Sequence, residues 1–221
     1  MNPCYYGNPK ANTVLIQMAD DPDLSVMEQE VEHIRRLTGR EDFLLAAIGV
    51  DNWNGDLSPW AAPPVFGKEP FGDGAENTLE YLKRELIPSL PEPEGGQQRT
   101  FFIGGYSLAG LFALWAVFRT DLFAGAAAAS PSVWFPSFRD YVSSHPLKTK
   151  AVYLSLGDKE EKTRNPVMAQ VGDAIREIYG NLQRSSMPCR LEWNQGNHFR
   201  EPELRTAKGF SWLMKGCPEH C

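Results

Sequence analysis

Several features are scarce in this chain of 221 residues, and each scarcity closes off a class of function. Cysteine occurs four times, at Cys4, Cys189, Cys217 and Cys221. That is too few and too scattered for a secreted disulfide framework, so free thiols and a reducing, cytoplasmic compartment are expected. Positive charge does not dominate: 22 Lys and Arg stand against 28 Asp and Glu, a formal charge of −6. A chain with no basic stripe lacks the phosphate-neutralising charge that nucleic-acid binding rests on and has little pull toward anionic lipid. Nucleic acid and membrane are therefore not expected partners. No run of roughly 18 apolar residues occurs, so no segment is expected to span a bilayer. Residues 1–10 show no basic start followed by an apolar stretch and do not read as a secretory leader. Histidine is also sparse, with four in the whole chain, which leaves few candidates for a general base.

What is present is a regular alternation of short apolar runs and helical-period runs, the mark of a mostly parallel sheet covered by helices on both faces. The expected class is α/β, with a central sheet of about six strands in a single domain over 1–221. Strands are read at 13–18, 43–50, 100–104, 125–129, 151–156 and 189–193, and helices at 26–38, 75–86, 108–119, 166–181 and 202–215. Residues 1–10 and 217–221 read as tails; the second could be drawn as a metal site on paper, but chain ends fray. Two stretches break the alternation. The 90–98 stretch reads as a surface connection, whereas 51–74, rich in Trp, Gly and Pro, is longer than an ordinary loop and is expected to line part of a pocket.

The sharpest chemical signal is the strand-turn-helix run through Gly104, Gly105, Tyr106, Ser107, Leu108, Ala109 and Gly110. To lift a serine hydroxyl clear of a strand end, the turn must be so tight that the residues two before and two after it crowd together. Gly105 and Ala109 meet that demand, which makes Ser107 a candidate nucleophile. The helix that follows points its first amides at the site, and the Leu108 N–H is the expected first oxyanion donor. The base is then sought among four histidines. His33 sits beside Arg35 and Arg36 on an amphipathic helix, His145 precedes Pro146 in a loop, and His220 is one residue from the end. His198 follows the last strand, at the sheet edge where active sites of doubly wound sheets collect, and is the expected general base. The acid that orients the imidazole is expected between Ser and His in the chain. Asp158, Glu160 and Glu161 compete after the 151–156 strand; the three-residue offset from Gly157 favours Glu160. The second oxyanion donor is expected from the loop after the first strand, at the amide of Ala19 or Asp20. Trp53, Trp60, Phe66, Tyr106 and Trp134 are candidates to line a pocket for an aromatic group.

These residues resemble the putative esterase (esterase D type) family of α/β hydrolases, which includes ferric-siderophore (enterochelin) esterases, feruloyl esterases and S-formylglutathione hydrolases. Asp56-Leu57-Ser58-Pro59-Trp60 is similar to that family's D-L-T-P segment, the run from Glu80 to Pro88 to its helix ending in E-L-I-P, and Ser130-Pro131-Ser132-Val133-Trp134 to its S-P-S-x-W. Glu160 falls where siderophore esterases carry the acid of a GxxE turn. The resemblance implies an α/β-hydrolase fold, N-terminally reduced here and without a cap domain. It also implies hydrolysis of a small-molecule carboxylic ester through an acyl-serine, with no cofactor. Two departures stand out: Ala109-Gly110 replaces the two glycines of many relatives, and formylglutathione hydrolases use Asp at the acid position. Other readings of the same residues are an acyltransferase or deacetylase, and a binding protein that keeps the fold without turnover.

Overall fold

The structure is a computed structural model and describes residues 1–65 and 67–216. The strands β1 (Asn2–Gly7), β2 (Thr13–Ala19), β3 (Phe43–Gly49), β4 (Thr100–Tyr106), β5 (Phe123–Ala129), β6 (Val152–Gly157) and β7 (Cys189–Asn194) form one seven-stranded sheet in the order β1-β3-β2-β4-β5-β6-β7. All pairings from β3 to β7 are parallel, and β1 lies antiparallel on β3. The helices are α1 (Asp21–Ser25), α2 (Met27–Thr38), α3 (Trp53–Asp56), α4 (Ala75–Tyr81), α5 (Ile87–Ser89), α6 (Ser107–Arg119), α7 (Phe138–Ser144), α8 (Val171–Arg184) and α9 (Pro202–Met214).

The inner strands are apolar on both faces because both faces are covered. Successive residues alternate between two cores: Leu15, Leu45 and Ala47 pack with α2 and α9, whereas Val14, Ile16, Leu44 and Ala46 pack with α6 and α8. Helix α2 turns Met27, Val31 and Ile34 inward and ends at Gly39, whose φ of 68° is the left-handed cap. Helix α9 starts with Pro202 in its first turn and buries Phe210 and Leu213 on the sheet, about 1.5–3 kcal/mol for each side chain. That packing fixes the position of Arg205, at the front of the same helix.

The α/β class and each of the six strands read from the sequence are present, with boundaries moved by a residue or two. The seventh strand corrects the reading of 1–10 as a tail. Residues 2–7 pair with β3 from Asn2↔Gly49 to Gly7↔Leu44, but as an edge strand they are mostly exposed, so they carry no apolar pattern to betray them. The 75–86 helix is also modified: α4 passes at Leu82 into a π turn over Leu82–Leu86 that joins it to α5. No helix among the described residues is long and apolar enough to cross a membrane.

The connections create the site. From β2 the chain steps to β3 on one side and later returns to β4 on the other, so the carboxyl ends of β2 and β4 flank the crevice where such sheets take their ligands.

Candidate active site

At the carboxyl end of β4 the backbone turns sharply into α6, and Ser107 occupies the turn with φ 56°, a left-handed conformation rare for a serine. The tightness is measurable at Gly105, where an added Cβ would sit 2.6 Å from the Ala109 Cβ and 2.8 Å from its carbonyl carbon. The steric reason for glycine two residues before the serine is therefore realised in this chain. Ser107 sits at the start of α6, so the Leu108 N–H is among the first-turn amides that have no partner within the helix.

The loop after β7 brings His198 over the serine. Its Nε2 lies 3.0 Å from Ser107 Oγ, and its Nδ1 lies 2.7 Å from Glu160 Oε2. A carboxylate only accepts, so Nδ1 carries the hydrogen and Nε2 is left to accept from the serine hydroxyl. The loops after β6 and β7 approach so closely that a Cβ on Gly157 would fall 2.4 Å from the Gly196 carbonyl oxygen. Of the three acids that competed for the place beside the imidazole, Glu160 takes it. Asp158 accepts from the Gly196 N–H at 2.8 Å, and Glu161 pairs with Arg176 at 2.9 Å.

Glu160 is nearly buried, and its two oxygens have separate duties. Oε1 accepts from Ser130 Oγ at 2.7 Å, the Gly157 N–H at 2.7 Å and Arg205 Nη1 at 2.9 Å, while Oε2 faces His198. Burial alone would raise the carboxyl pKa. The hydrogen bond and charge of His198, with the bonds from Ser130 and Gly157, outweigh it and hold the group below its ordinary value. Arg205, only 2% exposed, also donates to Tyr106 Oη, Ser130 Oγ and the carbonyls of Gln195 and Asn197. Tyr106 in turn donates to the His198 carbonyl at 2.7 Å, and burial followed by the charge of Glu160 pushes its phenol up to about 12, so it stays a donor. Sequence reasoning missed Arg205, because one arginine on an amphipathic helix carries no signal. It met Ser130 only as part of a family segment.

The other expected residues disperse. Leu108 is in place, but Ala19 is not placed as an oxyanion donor. Its carbonyl accepts from Val50 N at 3.0 Å, and in a parallel ladder a residue's N–H faces the same neighbour as its C=O, so that amide points to β3 and away from Ser107. Trp60 donates to the Pro136 carbonyl and stacks among Phe135, Phe138 and Tyr141, and Trp53 packs against the core. Tyr106 is buried beneath the imidazole. Of the expected lining residues Trp134 does border the cavity beside His198, about 370 Å³, which is walled besides by Ser130 after β5, by parts of 159–171 after β6, and by Asn197 and Phe199 after β7. Among the described residues the 51–74 loop adds nothing to that wall, and Phe71 packs against Trp134 and Phe135. Phe66, His220, Cys217 and Cys221 lie outside the described residues. His33 and His145 are on the surface, away from this cavity. Among the described residues no cluster of His, Cys, Asp or Glu is arranged to hold a metal ion.

With this geometry in view, a family model described as Putative esterase matches residues 44–198, from β3 through His198. The chain belongs to the putative esterase family. It is a carboxylic ester hydrolase by that membership. No curated protein sequence matches it. Among solved structures, this esterase resembles the siderophore hydrolase EstA from Aspergillus nidulans at 22% identity and a TM-score of 0.70, covering 94% of this chain and 84% of that one. It resembles EstB from the same organism at 17% identity and 0.71, with 98% and 90% covered. An IroE-like serine hydrolase from Shewanella oneidensis is similar at 18% and 0.70, with 94% and 72% covered. At such identities the likeness is one of fold.

One group of this esterase titrates in a useful range. Asp20 caps α1 by accepting from the Asp23 N–H at 2.9 Å, and the Asp23 carboxyl lies back against the Asp20 backbone. Burial first, then the neighbouring Asp20 charge, pushes Asp23 from 3.8 up to about 7, against the Asp20 backbone bond and the charge of His198. A raised acid stabilises the folded state fully below pH 3.8, and that contribution is lost as pH rises through about 7. Asp23→Asn keeps the acceptor and cannot ionise. Its Tm relative to wild type is expected to climb between pH 5 and pH 8; a difference that stays flat with pH would refute the shift.

Proposed function

We propose that this esterase hydrolyses small-molecule carboxylic esters in two acyl-transfer steps, with Ser107 as nucleophile, His198 as general base and acid, and Glu160 holding the imidazole. The observation that carries the reading is the continuous hydrogen-bonded line from Ser107 Oγ through His198 to Glu160, at the lip of a cavity. Ser107 Oγ attacks the ester carbonyl carbon as its proton passes to His198 Nε2. The carbonyl oxygen becomes an oxyanion facing the Leu108 N–H, and the imidazolium is balanced by Glu160. Nε2 then gives the proton to the leaving alcohol as the C–O bond breaks, and an acyl-serine remains. Water, deprotonated by Nε2, attacks the acyl carbon; the Ser107 oxygen takes the proton back and the acid departs.

The second oxyanion donor in this scheme is the Asp20 amide. One such donor is worth about 3 kcal/mol of transition-state stabilisation. The names of the structural neighbours, and a cavity bordered by Trp134 and Phe199, favour small or aromatic esters, siderophore esters among them. A fluorophosphonate probe is expected to label the protein once, with the adduct mapped to Ser107, and a panel of acetyl, aryl and siderophore lactone esters then finds the preferred substrate. No labelling, or an adduct on another serine, overturns the reading.

A further inference from the structure

The charge of the cavity is opposite to that of the chain. The sequence carries −6, yet the ionisable side chains on the cavity wall besides His198 and Glu160 are Lys159, Lys162 and Arg164. The Glu160 charge is balanced from beneath by buried Arg205. The other acids of this loop face elsewhere: Asp158 holds the Gly196 N–H, and Glu161 pairs with Arg176. Lys159, Lys162 and Arg164 are exposed, and among the described residues their side chains make no ion pair or hydrogen bond. The same wall carries the apolar side chains of Trp134, Met168 and Phe199, the last 86% exposed.

Three cations on the wall of a cleft whose one lining carboxylate among the described residues, Glu160, is already paired with Arg205 raise the local concentration of an anion, by about 10–10³-fold in favourable cases, and the effect fades as salt screens it. We propose that the ester this site prefers is itself an anion. Its apolar body packs on Trp134 and Met168, and a carboxylate on its acyl or alcohol part meets Lys159, Lys162 and Arg164. This rests on the hydrolase reading and narrows it to a substrate class.

Matched esters test it. On the acyl side, para-nitrophenyl hemiadipate is compared with its uncharged methyl-branched isostere; on the alcohol side, para-carboxyphenyl butyrate is compared with para-acetylphenyl butyrate. In at least one pair kcat/KM is expected to favour the anion by about tenfold at low salt, with the ratio falling as salt is added. In the Lys162→Gln, Arg164→Gln double variant the ratio is expected to fall toward one. Anion ratios at or below one in both pairs, or a ratio that the double variant leaves unchanged, overturn the proposal. If none of the four esters turns over and the fluorophosphonate adduct is also missing, it is the hydrolase reading that fails. The charge proposal is then read by calorimetry, with phenyl hemiadipate expected to bind Ser107→Ala more tightly at low salt than at high salt. Equal binding overturns it.

Discussion

Ser107→Ala is expected to abolish ester turnover, with kcat falling on the order of 10⁵-fold or more while the protein stays folded. The hydroxyl is the only group removed, and in the proposed mechanism no acyl-enzyme forms without it. What survives is the weak catalysis of the oxyanion donors and the cavity acting on water. The backbone offers a second readout. Ser107 is held at φ 56° at the elbow, where a side chain is strained and glycine is not. Ala inherits the strain and Gly escapes it, so Ser107→Gly is expected to be about 1 kcal/mol more stable than Ser107→Ala, and equally inactive. Denaturant unfolding of the two variants, with a continuous ester assay, reads both effects. Residual turnover above one per cent in Ser107→Ala would remove Ser107 from the chemistry.

The parts of this site that were legible in the sequence are those where geometry restricts residue type locally. Gly105 and Ala109 announce the elbow because larger side chains would collide there, and that constraint lies within five residues of chain. His198 was reachable because only four histidines exist and one alone follows a strand. Glu160 was harder, since three acids share the turn after β6; the choice depends on which carboxyl the Gly157 N–H and the His198 loop can both reach, a matter of three dimensions. The pocket wall was misread for a physical reason. A long loop with Trp, Gly and Pro looks like a binding loop, but Trp60 and Phe71 there bury themselves against Phe135, and the wall comes from Ser130 and the expected Trp134 after β5, a charged segment after β6 and the His198 loop after β7. Strand β1 escaped because an exposed edge pairs through its backbone, which every sequence possesses.

Arg205→Met is expected to damage folding and catalysis together, and the pH profile separates the two. The guanidinium, buried at the front of α9, donates to Glu160 Oε1, Ser130 Oγ and Tyr106 Oη, and to the carbonyls of Gln195 and Asn197, which lie in the loop that carries His198. Methionine fills similar volume but supplies none of these donors, and it leaves a nearly buried carboxylate without its cation. Removing one partner of such a pair costs about 3–5 kcal/mol, so a large fall in Tm is expected. The loop loses two anchors, and a small displacement of the imidazole relative to Ser107 Oγ costs about 10²-fold in kcat. A merely structural role would stop there. The positioning role adds a further consequence, because Glu160 is held below its ordinary pKa and loses a charge that favours its ionised form. With the Arg205 charge 2.9 Å away removed, the carboxyl titrates higher, and the acid limb of the kcat profile, where the Glu160–His198 pair takes up its protons, is expected to move to higher pH. Arg205→Lys restores charge but not the forked donors, and is expected to recover the acid limb more fully than it recovers kcat. Were Arg205→Met assayed well below its unfolding temperature to show an unshifted acid limb and wild-type kcat, Arg205 would be packing alone, and Glu160 would owe its ionisation to Ser130, Gly157 and His198.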